Sequence, residues 1–523
     1  MKTDRRVASI VTLGLVVVML PWSAPAQSVL PIPPLDDGVM VDGTRTFTLQ
    51  MGLGSTEFFP NVLTPTAGYN GNFLGPTLRM RKGERVALHV TNQLGMRTTT
   101  HWHGFHIPAA MDGGPHQMIE FGATWSPTFT VLNQASTYWY HPHLMPSFNW
   151  RAADGTGAQV YMGLAAMMIV EDDEADALPL PTTYGVDEIP LILTDRAFNP
   201  DGTFLDFTNP TDARVRKGTH AIVNGAITPT HTTHAQVIRF RLLNASNARI
   251  YYVGLSDNRS FHQIGSDGGL LPTPVPLPRL RLPPGERAEI LVDFSADFGR
   301  TLTLMSYAAE LNALESPVPA VMRDVMDTTD YPLVTFEVGP ASTIPVPITS
   351  IPASLVPLVP YDVAKAVNEL APRQFVLANG AVMTINGREM DIDTVNETVR
   401  LGDTEVWEIR NTSGQAHPFH VHGAPFQVLF RSDGPVPEHE QGWKDVVLVP
   451  GRTSSRGEGV VRIVKPFLDF ADPSSPYMYH CHILEHEDLG MMGQFVVVAD
   501  PSVEDMPSAP IVPIRAPTSS QRP

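Results

Sequence analysis

Alternating apolar and polar positions recur along the chain and predict β-strands. Val86, Leu88 and Val90 occupy every second position of one segment, and Trp407 and Ile409 do so in another. Successive side chains of a strand point to opposite faces, so this alternation places one apolar face against a core. The pattern is typical of the strands of a β-sandwich.

A short sequence pattern occurs three times. Each copy has an Asn-Gly turn, an extended segment with charges near its start, and a β-rich run that ends in Asn. The copies begin at Asn70, Asn224 and Asn386, and the first and third end at Asn92 and Asn411. A spacing of about 155 residues is too long for a solenoid repeat and suits repeated domains. The sequence therefore predicts an all-β protein of three sandwich domains.

The predicted domains cover residues 40–172, 185–338 and 373–500, and a flexible proline-rich tail covers 501–523. Acidic and proline-containing residues 171–181 form the first predicted linker, and the proline-rich residues 339–372 form the second. Helices are expected to be few. The better candidates are residues 363–370 and the stretch that begins near Leu484.

Composition and charge narrow the class of partner. Apolar residues make up 43% of the 523 positions and charged residues 17%, while 40 glycines and 49 prolines indicate many turns. The formal net charge of -18 argues against nucleic acid or an anionic membrane as the main partner. Small neutral or cationic molecules remain possible as substrates. A monomer is expected, because the three repeats lie in one chain.

Residues 1–26 have the pattern of a secretion signal. Basic residues come first, the apolar run Val7–Leu20 follows, and Ala24-Pro25-Ala26 is a small-x-small cleavage site. The run is shorter than the roughly 20 residues that span a bilayer, which disfavours a membrane anchor. We expect a periplasmic or secreted protein that is exported by the Sec route, and the Arg5-Arg6 pair leaves the twin-arginine route open.

The only cysteine, Cys481, lies between His480 and His482. In an extended segment the two histidines face one way and the cysteine faces the other, so two sites could share one backbone. Cys481, His486 and Met491 carry the ligand types of a blue-copper centre, in which two histidines and one cysteine bind copper and methionine is the weak axial ligand. One histidine of such a centre remains to be found.

Histidine pairs of the form H-x-H or H-P-H recur in the first and third repeats. A single pair is weak evidence for a site, because it is often only a polar strand surface. The four pairs together predict a metal cluster between the first and third domains, with His417 left to complete the copper site beside the cysteine. The pairs are His101 and His103, His141 and His143, His420 and His422, and His480 and His482.

The motifs HWHG, HPH, HPFHVHG and HCHILEHEDLGMM together resemble those of the multicopper oxidases, in their three-domain, laccase-like form. The resemblance implies three cupredoxin-like Greek-key sandwiches and four copper ions: one type 1, one type 2 and a type 3 pair. It assigns the type 1 site to His417, Cys481, His486 and Met491, and the type 2 site to His101 and His420. The implied type 3 ligands are His103, His141, His143, His422, His480 and His482.

Three residues are predicted to act in the reaction. Cys481 would pass electrons through its backbone to the neighbouring histidines. The resemblance points to Asp112 and Glu487 as carboxylates that supply protons for oxygen reduction. Each carboxylate has an alternative interpretation, since Asp112 could only begin an Asp-Gly-Gly turn and Glu487 could lie on a solvated helix face.

The expected function is laccase-like oxidation of phenols or aromatic amines, coupled to reduction of O2 to water. Residues 339–372 contain neither methionine nor histidine, and Ser413–Ala416 lacks Asp and Met before His417. These features depart from the copper-efflux oxidases, so oxidation of Cu(I) is the first alternative. The second alternative is a copper-free structural relative of the cell-division type. An axial Met491 is expected to lower the type 1 potential and to favour easily oxidised donors.

Other candidate residues have simpler interpretations. Asp445 is expected to support a ligand or to pack the sheet. Met322 and Met326 could form a soft-metal patch with Asp324 and Asp327, but core packing is favoured. The remaining histidines are interpreted as surface or satisfied core residues: His89, His106, His116, His220, His231, His234, His262 and His439.

Overall fold

The computed structural model describes residues 28–145, 155–205, 217–343, 345–380 and 382–499. The predicted signal segment 1–26 and the predicted tail 501–523 lie outside these residues. Within the described ranges, no helix combines the length and the apolar character needed to cross a bilayer.

The first part of the chain forms two sheets around one apolar core. Phe47, Leu88 and Trp102 belong to this core. One sheet has the order β1-β5-β11-β10-β7; the other has β2-β3-β6-β8, with β4 beside β3 and β9 beside β6. The strands are β1 (Leu35–Asp36), β2 (Val39–Val41), β3 (Thr44–Phe59), β4 (Val62–Tyr69), β5 (Thr77–Arg81), β6 (Arg85–Gln93), β7 (His101–His103), β8 (Thr124–Trp125), β9 (Thr128–Thr130), β10 (Ser136–His141) and β11 (Ala166–Glu171). The helices are α1 (Thr156–Met162) and α2 (Asp173–Asp176), with a 3-10 turn at Ala109–Met111.

The second pair of sheets packs around Phe240, Ile290 and Phe336. The sheet orders are β14-β13-β12-β16-β21-β18-β19 and β15-β23-β22-β17-β20. The strands are β12 (Glu188–Arg196), β13 (His220–Val223), β14 (Ala226–Ile227), β15 (Thr230–His234), β16 (Val237–Asn244), β17 (Tyr251–Leu255), β18 (Phe261–Ser266), β19 (Gly269–Leu277), β20 (Leu280–Leu282), β21 (Arg287–Asp293), β22 (Thr301–Ser306) and β23 (Tyr331–Gly339). Helix α3 (Ala308–Glu315) and 3-10 turns at Ala320–Met322 and Val325–Asp327 lie between β22 and β23.

The third pair packs around Trp407, Phe419 and Tyr479. The sheet orders are β25-β24-β27-β31-β29 and β26-β33-β32-β28-β30. The strands are β24 (Arg373–Asn379), β25 (Met383–Ile385), β26 (Glu397–Arg400), β27 (Thr404–Asn411), β28 (His417–Val421), β29 (Gln427–Arg431), β30 (Val446–Val449), β31 (Gly459–Pro466), β32 (Asp472–Cys481) and β33 (Met492–Val498). Helix α4 (Leu484–Asp488) joins the last two strands, and 3-10 turns lie at Val363–Lys365 and Glu438–Glu440. The predicted all-β class of three sandwiches is confirmed.

The three Asn-Gly turns play the same structural part in each sandwich. Asn70, Asn224 and Asn386 all have left-handed backbones, with φ of 52°, 52° and 54°. In each, the side-chain oxygen accepts a hydrogen bond from a neighbouring strand and the side-chain nitrogen donates to a carbonyl two residues earlier in that strand. The three pairs of partners are Gln50 with Thr48, Ile192 with Pro190, and Val376 with Gln374. The sequence repeat is therefore a repeat of structure.

The two helical predictions had different outcomes. A helix beginning near Leu484 is confirmed as α4. The helix predicted over residues 363–370 is wrong, because only the 3-10 turn Val363–Lys365 forms there. After this turn the chain is drawn onto the third sandwich, since the Asn368 side chain exchanges two hydrogen bonds with the backbone of Val406.

Contacts between the sandwiches determine where a site can lie. The first and third sandwiches meet where α1 packs on α4 and where the turn Ala109–Met111 packs on β32. The second sandwich contacts the first through β16 and β21, which pack against β10. The ends of β7, β10, β28 and β32 therefore converge at one place.

Candidate metal centres

A first cluster lies wholly in the third sandwich and contains the cysteine. His417 begins β28, Cys481 ends β32 and His486 lies on α4. The Cys481 Sγ lies 3.2 Å from His417 Nδ1 and 3.7 Å from His486 Nδ1, and the two Nδ1 atoms are 3.3 Å apart. All three side chains are buried. The structure thus brings together the cysteine and both histidines predicted for the type 1 site.

Met491, the predicted axial ligand, lies next to this cluster along the backbone. Its N–H donates to the carbonyl of His486, and its own carbonyl accepts from the N–H of Cys481 at 3.0 Å. The residue is fully buried and belongs to the same apolar core as the cysteine.

Strand alternation separates this cluster from a second one. Cys481 packs in the third core, whereas His480 and His482 face the first sandwich. There they meet histidines from β7 and β10, where His101 pairs with His141 across the sheet. On the third sandwich His420 pairs with His480 in the same way. Two histidine-bearing strand pairs therefore face each other, and both clusters share the tripeptide His480–Cys481–His482.

The second cluster contains eight histidines and divides into two triads and a pair. The first triad is His103, His141 and His482, and the second is His143, His422 and His480. The remaining His101 and His420 form a group with His103. In the second triad the Nε2 atoms are 3.1 to 3.4 Å apart. The structure thus brings together the histidines that the resemblance assigns to the type 2 and type 3 sites.

The chemistry of the two clusters fits copper. Burial lowers the pKa of His101 and of His417 to about 3, so both imidazoles are neutral and offer a lone pair. Within the described part of the chain, Nε2 of His101, His420 and His482 is buried without a hydrogen-bond partner. Burial also raises the pKa of the Cys481 thiol, so a bound cation is needed to stabilise the thiolate. Neutral imidazole and thiolate are ligands that copper prefers.

Asp112 reaches the second triad from the first sandwich. Its Oδ2 lies 2.5 Å from His422 Nδ1, and its backbone carbonyl lies 2.7 Å from His101 Nδ1. Burial raises the pKa of Asp112 well above its ordinary value. The next residue, Gly113, has a φ of +80°, and a Cβ there would lie 1.8 Å from the carbonyl oxygen of Thr100. Asp112 ends the 3-10 turn Ala109–Met111, and its carboxylate contacts a histidine, so it does more than begin an Asp-Gly-Gly turn.

Glu487 contacts the same triad from the opposite side. Its carboxylate lies 3.3 Å from His143 Nδ1 and 3.2 Å from His480 Nδ1. The side chain is buried, so the alternative of a solvated helix face is wrong. Glu487 and Asp112 together contact all three histidines of this triad.

Asp445 holds the other side of the cluster. Its Oδ1 lies 3.2 Å from His103 Nε2, and its carbonyl lies 2.7 Å from His420 Nδ1. The buried Arg287 of the second sandwich donates to both carboxylate oxygens at 2.6 Å. The interpretation of Asp445 as a support for ligands agrees with this geometry.

The second sandwich also contacts the predicted ligand His482 and the helix α4 that carries His486. Gly285 packs so closely on His482 that a Cβ would lie 2.8 Å from the ring. Asn247 donates to the Glu485 carboxylate at 2.7 Å, and its carbonyl accepts from the N–H of Leu484 at the start of α4. This sandwich contributes none of the predicted ligands, yet it supports both clusters.

A segment of the second sandwich covers the cysteine-containing cluster. We call residues 316–327 the covering segment. Its Pro317 carbonyl accepts a hydrogen bond from the N–H of Ala416, next to His417. Arg249 fixes the far end of the segment through Asp324 at 2.7 Å and Asp327 at 3.0 Å. On the exposed side, Ser413 Oγ lies 3.0 Å from His417 Nε2.

The remaining sequence interpretations also have outcomes. Met326 is buried in the second core, which confirms core packing for that residue. The histidines outside the matched motifs lie outside the histidine and cysteine groups found among the described residues.

The sequence interpretation missed three residues that support the clusters: Arg287, Ser413 and Asn247. No local motif marks them, because each acts through a partner far away in the sequence or through an ordinary loop position.

Three β-sandwiches that carry a cysteine-containing cluster beside an eight-histidine cluster, both suited to copper, define a copper protein of the cupredoxin class. Two family models, both for multicopper oxidase, match residues 54–175 and 366–501. The chain is 34% identical over 461 residues to the multicopper oxidase mco of Staphylococcus haemolyticus, which covers 87% of this chain and 89% of the relative. The chain therefore belongs to the multicopper oxidases.

Two further comparisons show the breadth of the family. The chain is 33% identical to the cell division protein FtsP of Dickeya dadantii, over 90% of this chain and 92% of the relative. Its fold matches the laccase-like multicopper oxidase CueO of Ochrobactrum sp. with a TM-score of 0.77 and 34% identity, over 90% of this chain and 100% of the other. That protein has oxidase activity towards lignin model compounds and lignosulfonate.

Proposed function

We propose that this protein is a laccase-like oxidase that takes single electrons from phenols or aromatic amines and reduces O2 to water. The observation that carries the proposal is that the group of His417, Cys481 and His486 and the eight-histidine cluster share the tripeptide His480–Cys481–His482. With four copper ions bound, one at the cysteine site and three at the histidines, the metals would accept electrons one at a time and reduce oxygen. The backbone around Cys481 is then the short path between the centres.

The surface beside His417 supports an organic donor. His417 and His486 are both buried, so a donor must approach through the residues that cover them. Ser413 is half-buried and contacts His417 directly, while Pro317 and Pro319 of the covering segment lie against Gly414–Ala416. Val321, two residues further on, is 94% exposed. The prolines and the exposed valine of the covering segment suit an aromatic ring better than a hydrated metal ion.

The carboxylates beside the histidine cluster support the proton part of the reaction. Asp112 and Glu487 each lie within hydrogen-bond reach of an Nδ1 atom in the second triad. We propose that they hold protons and release them as oxygen is reduced.

Oxygen uptake by copper-loaded protein tests the proposal. We expect the protein to be blue, and to consume O2 faster with substituted phenols than with Cu(I). The reverse order of rates would instead support the Cu(I) oxidase. A protein that binds no copper and remains colourless would contradict both and favour a structural role like that of the FtsP relatives.

The proposed location is the periplasm or the medium, and the proposed state is a monomer. The argument for export is the signal pattern in residues 1–26. Cell fractionation with N-terminal sequencing of the mature protein tests the first point, and light scattering of the purified protein tests the second.

A further inference from the structure

Four methionines form a packed cluster away from the cysteine site. We call Met145, Met390, Met478 and Met492 the methionine cluster. The last three are buried, with exposures of 8%, 1% and 3%, and Met145 is partly buried against them. Methionine accounts for 21 of the 523 residues, and none of the other apolar cores among the described residues contains more than three buried methionines. The cluster therefore concentrates four soft thioether groups in one place.

The cluster lies beside the second histidine triad, where the first and third sandwiches meet. On β32 and β33, His480 pairs with Met492 and Met478 pairs with Gln494, so Met478, His480 and Met492 share one face. This face is opposite to the one that carries Cys481. Met145 follows His143 by two residues. Two histidines of the triad thus lie next to the methionine cluster. His480 pairs with Met492 on the neighbouring strand, and His143 precedes Met145 by two residues.

The chemistry of the cluster selects a soft monovalent cation. Thioether sulfur is a soft, uncharged ligand that favours Cu(I) over divalent ions. Burial without a carboxylate in the cluster further disfavours a doubly charged ion, whose desolvation costs more. We propose that the methionine cluster is a binding site for one Cu(I) ion, separate from the cysteine site and the histidine cluster, and holds that ion next to the histidine cluster.

A Cu(I) titration of the copper-loaded, fully reduced protein without oxygen tests this site. All copper is then Cu(I), so binding involves no electron transfer and the protein is diamagnetic. With methyl-13C methionine, we expect Cu(I) to shift the methyl signals of the four cluster residues, and we expect the protein to retain about one additional copper ion per chain against a weak chelator. Unmoved signals with no additional copper would overturn the proposal.

Matched variants assign the bound ion to the cluster. Met390→Leu with Met478→Leu should abolish the additional equivalent, because leucine keeps the volume but cannot bind Cu(I). Met322→Leu, in the covering segment near the cysteine site, should retain it. The blue colour after reoxidation reports that each variant is folded and that the cysteine site is loaded. An equal amount of additional copper in the double variant and in the unmodified protein would show that the methionines serve packing alone.

Discussion

The cysteine site and the histidine cluster differ in how much of the molecule builds them. His417, Cys481 and His486 all come from the third sandwich. The histidine cluster takes ligands from the first and third sandwiches, and Arg287 of the second holds one side of it. The ligands of the first site therefore come from one sandwich, whereas the second site forms where the first and third sandwiches dock and is supported by the second.

The two sites also differ in the polar side chains that contact their ligands. The cysteine site lies in an apolar core, with Ser413 as a polar contact on its exposed side. The histidine cluster has three buried carboxylates against its rings: Asp112, Asp445 and Glu487. Under the proposed function, these carboxyl groups lie against the centre that would hold several copper ions and receive protons.

Removing the thiolate should give the largest effect and should separate the two sites. Cys481→Ser removes the sulfur ligand from the cysteine site, so we expect loss of the blue colour. Activity should fall by more than about 100-fold, because the loss of a residue that only holds a metal ligand already costs about 10- to 100-fold. The histidine cluster should still bind copper, because its ligands remain in place. Electron paramagnetic resonance and copper analysis measure both. Loss of copper from both sites would show that they do not assemble independently.

The second largest effect is expected when the contact between Arg287 of the second sandwich and Asp445 is broken. Arg287→Gln leaves Asp445 buried without its cation, which we expect to cost about 3–5 kcal/mol of stability. Copper affinity of the histidine cluster should also fall by about 10- to 100-fold, because Asp445 no longer holds His103. The blue colour should persist. Chemical unfolding and metal analysis test these outcomes.

A matched control distinguishes positioning from general destabilisation. Arg241 is another buried arginine of the second sandwich, and it binds Glu188 at 2.6 Å. Both Arg241 and Arg287 donate a hydrogen bond to Thr137. Arg241→Gln should lower stability to a similar extent and leave copper affinity unchanged. If both variants lose copper equally, Arg287 serves only the docking of the sandwiches.

Some parts of the fold and of the two sites follow from local sequence patterns, and others depend on tertiary contacts. Strand alternation is local, so H-x-H and H-C-H patterns were sufficient to place ligands on one face or on opposite faces. Arg287 and Asp445 lie far apart in the sequence, and no local spacing relates them. The wrong helix over residues 363–370 has the same cause, because the Asn368 contact with Val406 that prevents it is tertiary.

A smaller effect is expected at the carboxylates, confined to the histidine cluster. Asp112→Asn retains the shape and removes the ionisable carboxyl group beside His422, so we expect oxygen reduction to slow by about 10- to 100-fold. Reduction of the blue centre by a phenol should continue at its normal rate. Stopped-flow absorption separates the two half-reactions. Equal slowing of both halves would contradict a role limited to the cluster.

The smallest effect is expected at the cysteine site, from a side chain outside its ligand set. Ser413→Ala removes the hydroxyl that contacts His417 Nε2. One such hydrogen bond contributes about 0.5–1.5 kcal/mol, so the rate of donor oxidation should change by no more than about tenfold. The rate at which O2 reoxidises the histidine cluster should not change, because its ligands and carboxylates are untouched. Ser455→Ala, on an exposed turn of the same sandwich, is the control. A change in reoxidation in the Ser413 variant would show that the electron-accepting site and the oxygen-reducing site are coupled more closely than their separate construction implies.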